Sequence, residues 1–451
     1  MTIDSRQAAG SDGRPLKVGI LGAGYIADWH LKALRRVRQA QVVALADLDI
    51  RRARSLSADY SIAQAYGSLE EMLAGESLDV LHVLTPPQTH YPAAKLALES
   101  GVHVLLEKPM CIDRRHAIEL NLLAQSRTRC VGVNHNFLFT KEYEQLRSAL
   151  TAGSIGRIDH VSIVWNKPLG QLVSGPFDLW MLREPQNIVL EIGPHLVAHL
   201  LDLVDYPQAW RVHVDNEAEL PGQRTFYRRW RLSTDHGRAA ADLLMSFNPG
   251  NTEHYIHVRG SNGSARVDFE NQTFALDRPT PYGVDFDRYR RVRASARAVG
   301  RQARRNLIDY VLSKFKLSER GNAFGYSIQR SLQAFYASVT GAADSRMSTQ
   351  LGVDVVNLCH DIADQVRSDI PPPEAVCSAK PLVVANHRRG ESDVFHTGLN
   401  GTATASCSTA CALADREYVA TTLVLGGTGF IGKELVRQLV ERNYRVKVLS
   451  R

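Results

Sequence analysis

The sequence predicts an α/β chain of more than one domain. A parallel sheet covered by helices comes first, an α+β domain second, and the opening of another parallel unit last. Three observations carry this. Between Leu16 and about residue 135, short apolar runs alternate with amphipathic stretches, the rhythm of βαβ units. From about residue 136 the rhythm changes to longer strands of alternating polarity. Near the end, TTLVLGGTGFIGKEL repeats the apolar run, glycine turn and helix start that LKVGILGAGYIADWH sets out near the beginning.

Taken in order, LKVGIL is a strand running into glycines, and IADWHLKALRRV has the apolar spacing of an amphipathic helix. QVVALAD reads as the second strand. DVLHVLTPP and HVLLEKP are further strands, with YPAAKLALES as the helix between them. DHVSIVWN, TFYRRWRLST, AAADLLMSFN and HYIHVRG supply the strands of the second domain. DVVNLCHDIADQVRSD is a helix that Pro371, Pro372 and Pro373 stop. The expected organisation is therefore a polar, disordered tail at 1–15, a nucleotide-binding domain at 16–135 and an α+β domain at 136–370. A linker rich in Ala, Thr, Ser and Gly fills 371–419, and a second strand, helix and strand occupy 420–451.

Composition narrows the class. The 451 residues are too many for one compact core, and 44% hydrophobic with 22% charged residues is the balance of a soluble globular protein. No run of about eighteen apolar residues spans a bilayer, and the N-terminus has no apolar stretch of a secretory signal. Cys111, Cys130, Cys359, Cys377, Cys407 and Cys411 lack zinc-site spacing and disulfide density, so a reducing cytoplasm is the expected compartment. The net charge of +7 has one dense patch, Arg288 to Arg305. Such a run is usually a solvated helix face; an anionic membrane surface or a phosphorylated ligand is the alternative. Without an aromatic strand motif or a Cys/His finger, nucleic acid is not an expected partner.

Gly22, Gly24 and Ala27 form G-x-G-x-x-A between a strand and a helix, where small residues let a pyrophosphate approach the helix N–H groups. Asp47, at the end of the second strand, is placed to accept both adenosine ribose hydroxyls. The competing reading makes Asp47 a helix N-cap. Its carboxylate favours NAD, while Arg51 and Arg52 leave NADP open.

With VGILGAGYIADWH, VLTPPQTH, EKPM, VGVNHNF and EIGPH in that order, residues 16 to 370 resemble the Gfo/Idh/MocA oxidoreductase family. The resemblance implies an N-terminal Rossmann domain and a second domain with an open-faced, mostly antiparallel sheet that joins copies into a homo-oligomer. It also implies hydride transfer between NAD(P) and a hydroxyl of a sugar, sugar nucleotide or polyol, with Lys108 as the active-site lysine. Cofactor contacts fall on Gly22, Gly24, Tyr25, Ile26, Ala27, Asp47, Thr85, Pro86, Pro87, His90, Glu107 and Lys108. Oxidising a secondary alcohol requires a group that takes the hydroxyl proton as hydride leaves, and a lysine can hydrogen-bond the reacting oxygen. Pro109 is a candidate for a cis bond. Without the resemblance, Lys108 would read as a surface-loop lysine.

The family's acid, glycine, histidine and aspartate fall here on Glu191, Gly193, His195 and Ala198, so the aspartate is missing. His195 remains a proton-transfer candidate, and His199 shares its helix face. The alternatives are two structural histidines or a two-histidine metal site, and no third metal ligand is evident. Asn136 stands where the family usually has arginine, with Asn134 and Phe137 matching around it; a neutral amide cannot pair with an anion as arginine does. Gly426, Gly429 and Gly432 resemble the start of an extended short-chain dehydrogenase or NAD-dependent epimerase, with Arg451 suited to a 2′-phosphate. One strand, helix and strand cannot bury both faces, so this segment is expected to be inactive as it stands. A cofactor-binding module without turnover, fused to an epimerase, is the competing function.

Overall fold

The computed structural model describes residues 14–315, 323–369, 421–425, 439 and 445–449. Residues 1–13 of the tail expected at 1–15, the linker at 371–419 and the glycines Gly426, Gly429 and Gly432 lie outside the described residues.

The first sheet is built from β1 (Leu16–Leu21), β2 (Ala40–Ala46), β3 (Gln64–Tyr66), β4 (Val80–Val83), β5 (His103–Leu106) and β6 (Val131–Val133). Its helices are α1 (Tyr25–Leu34), α2 (Ile50–Tyr60), α3 (Leu69–Gly75), α4 (His90–Glu99) and α5 (Arg114–Arg127). The strand order is β3-β2-β1-β4-β5-β6, all parallel, the doubly wound arrangement that the alternation predicts. Helix starts are set locally. Asp49 accepts from the Arg51 N–H at α2, Ser68 from Glu71 at α3 and Asp113 from Arg115 at α5. Strands β4 and β5 are apolar nearly throughout because both faces of the sheet are covered.

The second sheet follows α6 (Lys141–Thr151). It comprises β7 (Ile158–Asn166), β8 (Ala209–Leu220), β9 (Arg224–Asp235), β10 (Ala240–Ser246), β11 (Glu253–Gly260), β12 (Gly263–Asp268) and β13 (Thr273–Asp277). Between β7 and β8 run a short α7 (Gln171–Ser174) and α8 (Asn187–Leu203). The order is β13-β12-β11-β7-β10-β9-β8, antiparallel except for the β7–β10 pair. Alternating burial along β9, β10 and β11 gives it one packed face and one open face.

The chain then forms α9 (Val284–Lys314), α10 (Ala323–Val339) and α11 (Thr349–Asp369). Helices α10 and α11 return to the first sheet, packing on α1 and on α5 with β6, while α11 also meets α8. One core therefore runs from Ile20 and Leu105 through Phe139 and Tyr336 to Trp165 and Phe226. A second fills the other face of the first sheet around Leu81, Val104 and Leu106. The change of rhythm at residue 136 marks a change of sheet within one compact unit.

Residues from Ala375 onward belong to a separate unit. There β14 (Thr421–Leu425) and β15 (Arg445–Leu449) pair in parallel, with Thr421 opposite Arg445.

Candidate functional site

Leu21 of β1 pairs with Val83 of β4, and Val83 with Leu106 of β5. The parallel register therefore sets three turns side by side at the strands' carboxyl ends: Gly22 to Gly24, Leu84 to Pro87, and Glu107 with Lys108. At Gly22, φ is +102° and a Cβ would lie 2.8 Å from the Leu84 carbonyl oxygen, so only glycine suits this turn. Gly24 precedes α1 in extended conformation, no side chain caps the helix, and a Cβ at Gly24 would meet nothing within 4 Å. The helix N-terminus thus opens on space with N–H groups pointing into it, which suits a pyrophosphate. Tyr25 is exposed, Ile26 packs against the core and Ala27 is fully buried under the turn.

Asp47 is fixed beside this turn: one carboxylate oxygen accepts from the Ala23 N–H at 2.7 Å, the other from Asp49 at 2.8 Å. Each oxygen keeps a lone pair for a ribose hydroxyl. The cap of α2 is Asp49, so the N-cap reading of Asp47 falls away. Arg51 pairs with Asp49 at 2.9 Å, and this bond holds the Asp49 carboxyl below its usual range.

Thr85 abuts Gly22, and Pro87 opens a single 3-10 turn in which the Thr89 hydroxyl lies 2.6 Å from that of Thr85. His90, also expected at the cofactor, lies directly behind these loops. It is fully buried, with its ring nitrogens 2.9 Å from the Thr85 and Pro109 carbonyls. Both nitrogens face backbone carbonyls and the one N–H of the neutral ring donates to one of them, so His90 braces the β4 and β5 loops against each other.

The Lys108–Pro109 bond is cis. The Lys108 ammonium donates to the carbonyl and a carboxylate oxygen of Glu191 on α8, both at 2.9 Å. Two of its three N–H bonds are used, leaving one for a further partner. Its neighbour Glu107 points elsewhere: its Oε1 accepts from Asn134 Nδ2 at 2.6 Å and lies 2.8 Å from His30 Nε2. Burial pushes the Glu107 carboxyl up, but His30, Asn134 and Lys108 together hold it below the usual value. Behind it, His30 Nδ1 lies 3.1 Å from His82 Nδ1, and His82 Nε2 lies 2.9 Å from the Tyr336 hydroxyl. The donors run one way. Tyr336 O–H gives to His82, His82 N–H to His30 and His30 N–H to the Glu107 carboxylate. Burial keeps His82 neutral by lowering its pKa and Tyr336 neutral by raising it.

On α8, His195 is partly buried, stacked on Trp165 with centroids 5.4 Å apart and edge-on to Phe137. Its Nδ1 is enclosed without a partner. Burial, with Lys108's charge adding to it, holds His195 well below its ordinary pKa, so it is neutral near pH 7. His199 does not share that position. It is fully buried against Tyr143 and Phe269, its Nδ1 lies 2.6 Å from the His195 carbonyl, and burial lowers its pKa to about 4. The structure thus places His199, expected to share the proton-transfer work, among core residues. One helical turn carries it from the rim to the aromatic interior, and one ring nitrogen is already bonded. Ala198 is also buried in the core. Among the described residues, no group of three or more His, Cys, Asp or Glu is arranged to hold a metal.

Asn136 donates to the Ser327 hydroxyl at 2.9 Å, tying the loop after β6 to α10 rather than bonding its own backbone. Sequence reasoning missed Glu191 as the partner of Lys108, and missed His30, His82 and Tyr336 altogether. His82 had a signal: it is the one polar residue in the apolar run VLHVL, and a buried polar group needs a partner.

Residues 16–135 match the model of the Gfo/Idh/MocA family, described as an oxidoreductase family with an NAD-binding Rossmann fold. The chain is 32% identical over 150 residues to an uncharacterized oxidoreductase of Synechocystis sp., covering 33% of this chain and 40% of that protein. It is 31% identical over 214 residues to D-glucoside 3-dehydrogenase of Escherichia coli, covering 47% of this chain and 60% of that one. The matched stretches thus span about two fifths to three fifths of these relatives' length. The fold is shared with the WlbA dehydrogenase of Bordetella pertussis, crystallised with NADH and UDP-GlcNAcA, at a TM-score of 0.63 and 18% identity. That match covers 79% of this chain and 97% of WlbA.

Proposed function

We propose, from a segment at residues 16–135 that is an NAD-binding Rossmann domain of the Gfo/Idh/MocA family, that this chain is an NAD-dependent oxidoreductase. It acts on a hydroxyl or carbonyl of a sugar, sugar nucleotide or polyol. The observation that carries the reading is Lys108: its ammonium lies at the same sheet edge as the glycine turn, held by Glu191, with one N–H uncommitted. The names of the relatives, a glucoside dehydrogenase among them, support the substrate class.

Gly22 and Gly24 with the α1 N-terminus would hold the pyrophosphate, Asp47 the adenosine ribose, and Thr85 to Pro87 would flank the inner half of the dinucleotide. Asp47 opposes a 2′-phosphate and Arg51 is engaged by Asp49, which favours NAD over NADP. Nicotinamide, when bound, supplies the hydride acceptor or donor. Lys108 holds the reacting oxygen. In the reducing direction its ammonium gives a proton to that oxygen; in the oxidising direction its amine takes the hydroxyl proton. Glu191 stands where the proton passes on, a role left open by Ala198. His195, neutral and stacked on Trp165, is kept as a second proton-transfer candidate beside Lys108 and Glu191.

Lys108→Ala is expected to lower kcat by about 10²- to 10⁴-fold while NADH titration stays within a few-fold of wild type. Full turnover in that variant sinks the mechanism, and no saturable NAD or NADH signal from the folded wild type sinks the whole reading. Ala198 motivates the second reading, a cofactor-binding sensor or docking module. Stopped-flow absorbance at the reduced-nicotinamide band with a panel of sugars and sugar nucleotides separates the two: redox change favours the enzyme, tight binding without it the module.

The reading of residues 420–451 as a second nucleotide-binding unit of the short-chain dehydrogenase or epimerase kind is supported by the parallel β14–β15 pair among the described residues. Assembly into homo-oligomers uses the open face of the second sheet, where Arg211, Arg231 and Asp242 are exposed. Light scattering reading a monomer at all concentrations would remove that reading.

A further inference from the structure

Helix α9 is 31 residues long and buries none of them fully. It lies outside residues 16–135, so the family match does not account for it. One side is tied down by polar contacts. Gln302 exchanges hydrogen bonds with the Phe274 backbone at 2.7 and 2.8 Å, Asn306 donates to the Gln272 carbonyl at 3.2 Å, and Arg291 pairs with Asp277 and Asp287. The opposite side follows from helical spacing. Phe286, Tyr289, Arg293, Arg297, Arg301, Arg304, Ile308 and Val311 recur at three- and four-residue steps and all are exposed.

No acidic residue falls on that stripe. Arg293 lies over the Tyr289 ring, and no carboxylate among the described residues pairs with Arg297, Arg301, Arg304 or Arg305. Beyond the arginines the apolar side chains are large and open, with Leu307 at 62% and Phe315 at 70% exposure. A soluble helix face does not usually combine uncompensated arginines with exposed Phe, Leu, Ile and Val.

We propose that α9 is a membrane-surface helix that seats the chain on an anionic bilayer. Arginines meet lipid phosphates while Phe286, Leu307, Ile308, Val311 and Phe315 enter the boundary between headgroups and acyl chains. The helix lies in the interface and does not cross it, since no helix among the described residues is long and apolar enough to span a bilayer. Charge argues against the other occupants. A second copy related by a two-fold axis would oppose arginine to arginine. Nucleic acid would take the arginines but leave the aliphatic residues without a counterpart.

The test is flotation of the full chain with phosphatidylglycerol/phosphatidylcholine vesicles and with phosphatidylcholine alone. Binding is expected only to the anionic vesicles, falling as salt rises. The triple variant Arg297→Ser, Arg301→Ser, Arg304→Ser should lower partitioning on the order of a hundredfold. Leu307→Ser with Ile308→Ser should lower it by roughly tenfold or more. Hydrogen exchange on the wild-type chain should slow over 284–314 when anionic vesicles are added, a readout independent of whether the variants fold. Absence of flotation at low salt overturns the proposal. So does retention by the triple variant, or an aliphatic variant that binds as wild type, which would mark a general polyanion site. A dimer that the triple variant splits would reassign the face to a second copy. The hydride-transfer reading stands or falls separately, on nicotinamide titration.

Discussion

Gly22 concentrates the demands of the site in one residue. Its left-handed φ and the Leu84 carbonyl 2.8 Å from any Cβ leave no room for a side chain, because β1 and β4 are adjacent and their loops cross there. Gly22→Ala should cost about 1–3 kcal/mol, read as a lower urea midpoint. Unchanged stability would mean that the turn does not have this geometry. Gly24 makes a contrasting case, since open space surrounds it: Gly24→Ala should fold normally and lose NAD affinity. The pair separates a glycine kept for its backbone from one kept for what approaches it.

At the scale of elements, the chain Glu107, His30, His82 and Tyr336 joins β5, α1, β4 and α10 through four buried or partly buried groups with compatible donors and acceptors. Each polar group in that interior is satisfied only while all four elements are in place. Tyr336→Phe removes the last donor and leaves His82 Nε2 without it, at an expected cost of about 1–3 kcal/mol in urea denaturation. His30→Phe orphans groups on both sides and should cost more. If Tyr336→Phe and His30→Phe together cost the sum of the single variants, the groups do not act as one network. Helix α10 thus fastens the loop that bears Lys108, although almost two hundred residues of sequence lie between β6 and its start.

For the whole molecule, His135 after β6 and His199 and His254 of the second domain are buried beside partly buried His195, each with at least one ring nitrogen enclosed and unpartnered. Burial lowers each pKa, to about 3 for His135 and about 4 for His199. The unfolded chain binds protons near pH 6.5 that the folded chain refuses. Stability is therefore full above that pH and falls as pH drops through 6.5 towards 4, with a slope of up to roughly 1.4 kcal/mol per pH unit for each histidine. His254→Phe, whose ring would keep the stack on Phe269, should flatten the slope between pH 7 and 5 in urea titrations. Parallel curves for variant and wild type would count against the buried histidines as its source.

What the sequence determined by itself was periodic and local. Alternation of apolar runs foretold the first sheet, and G-x-G-x-x-A with Asp47 foretold the glycine turn and the carboxylate beside it. Backbone sterics and strand polarity act over a few residues, so they can be read along the chain. The tertiary structure alone decided which side chains meet. It gave Lys108 to Glu191, turned His90 into a brace and sealed His199 in an aromatic core. It also strung His30, His82 and Tyr336 behind Glu107. Those pairings depend on strand order and on α10 and α11 folding back over the first sheet. Contact between distant residues is fixed by packing, which no short window of sequence contains.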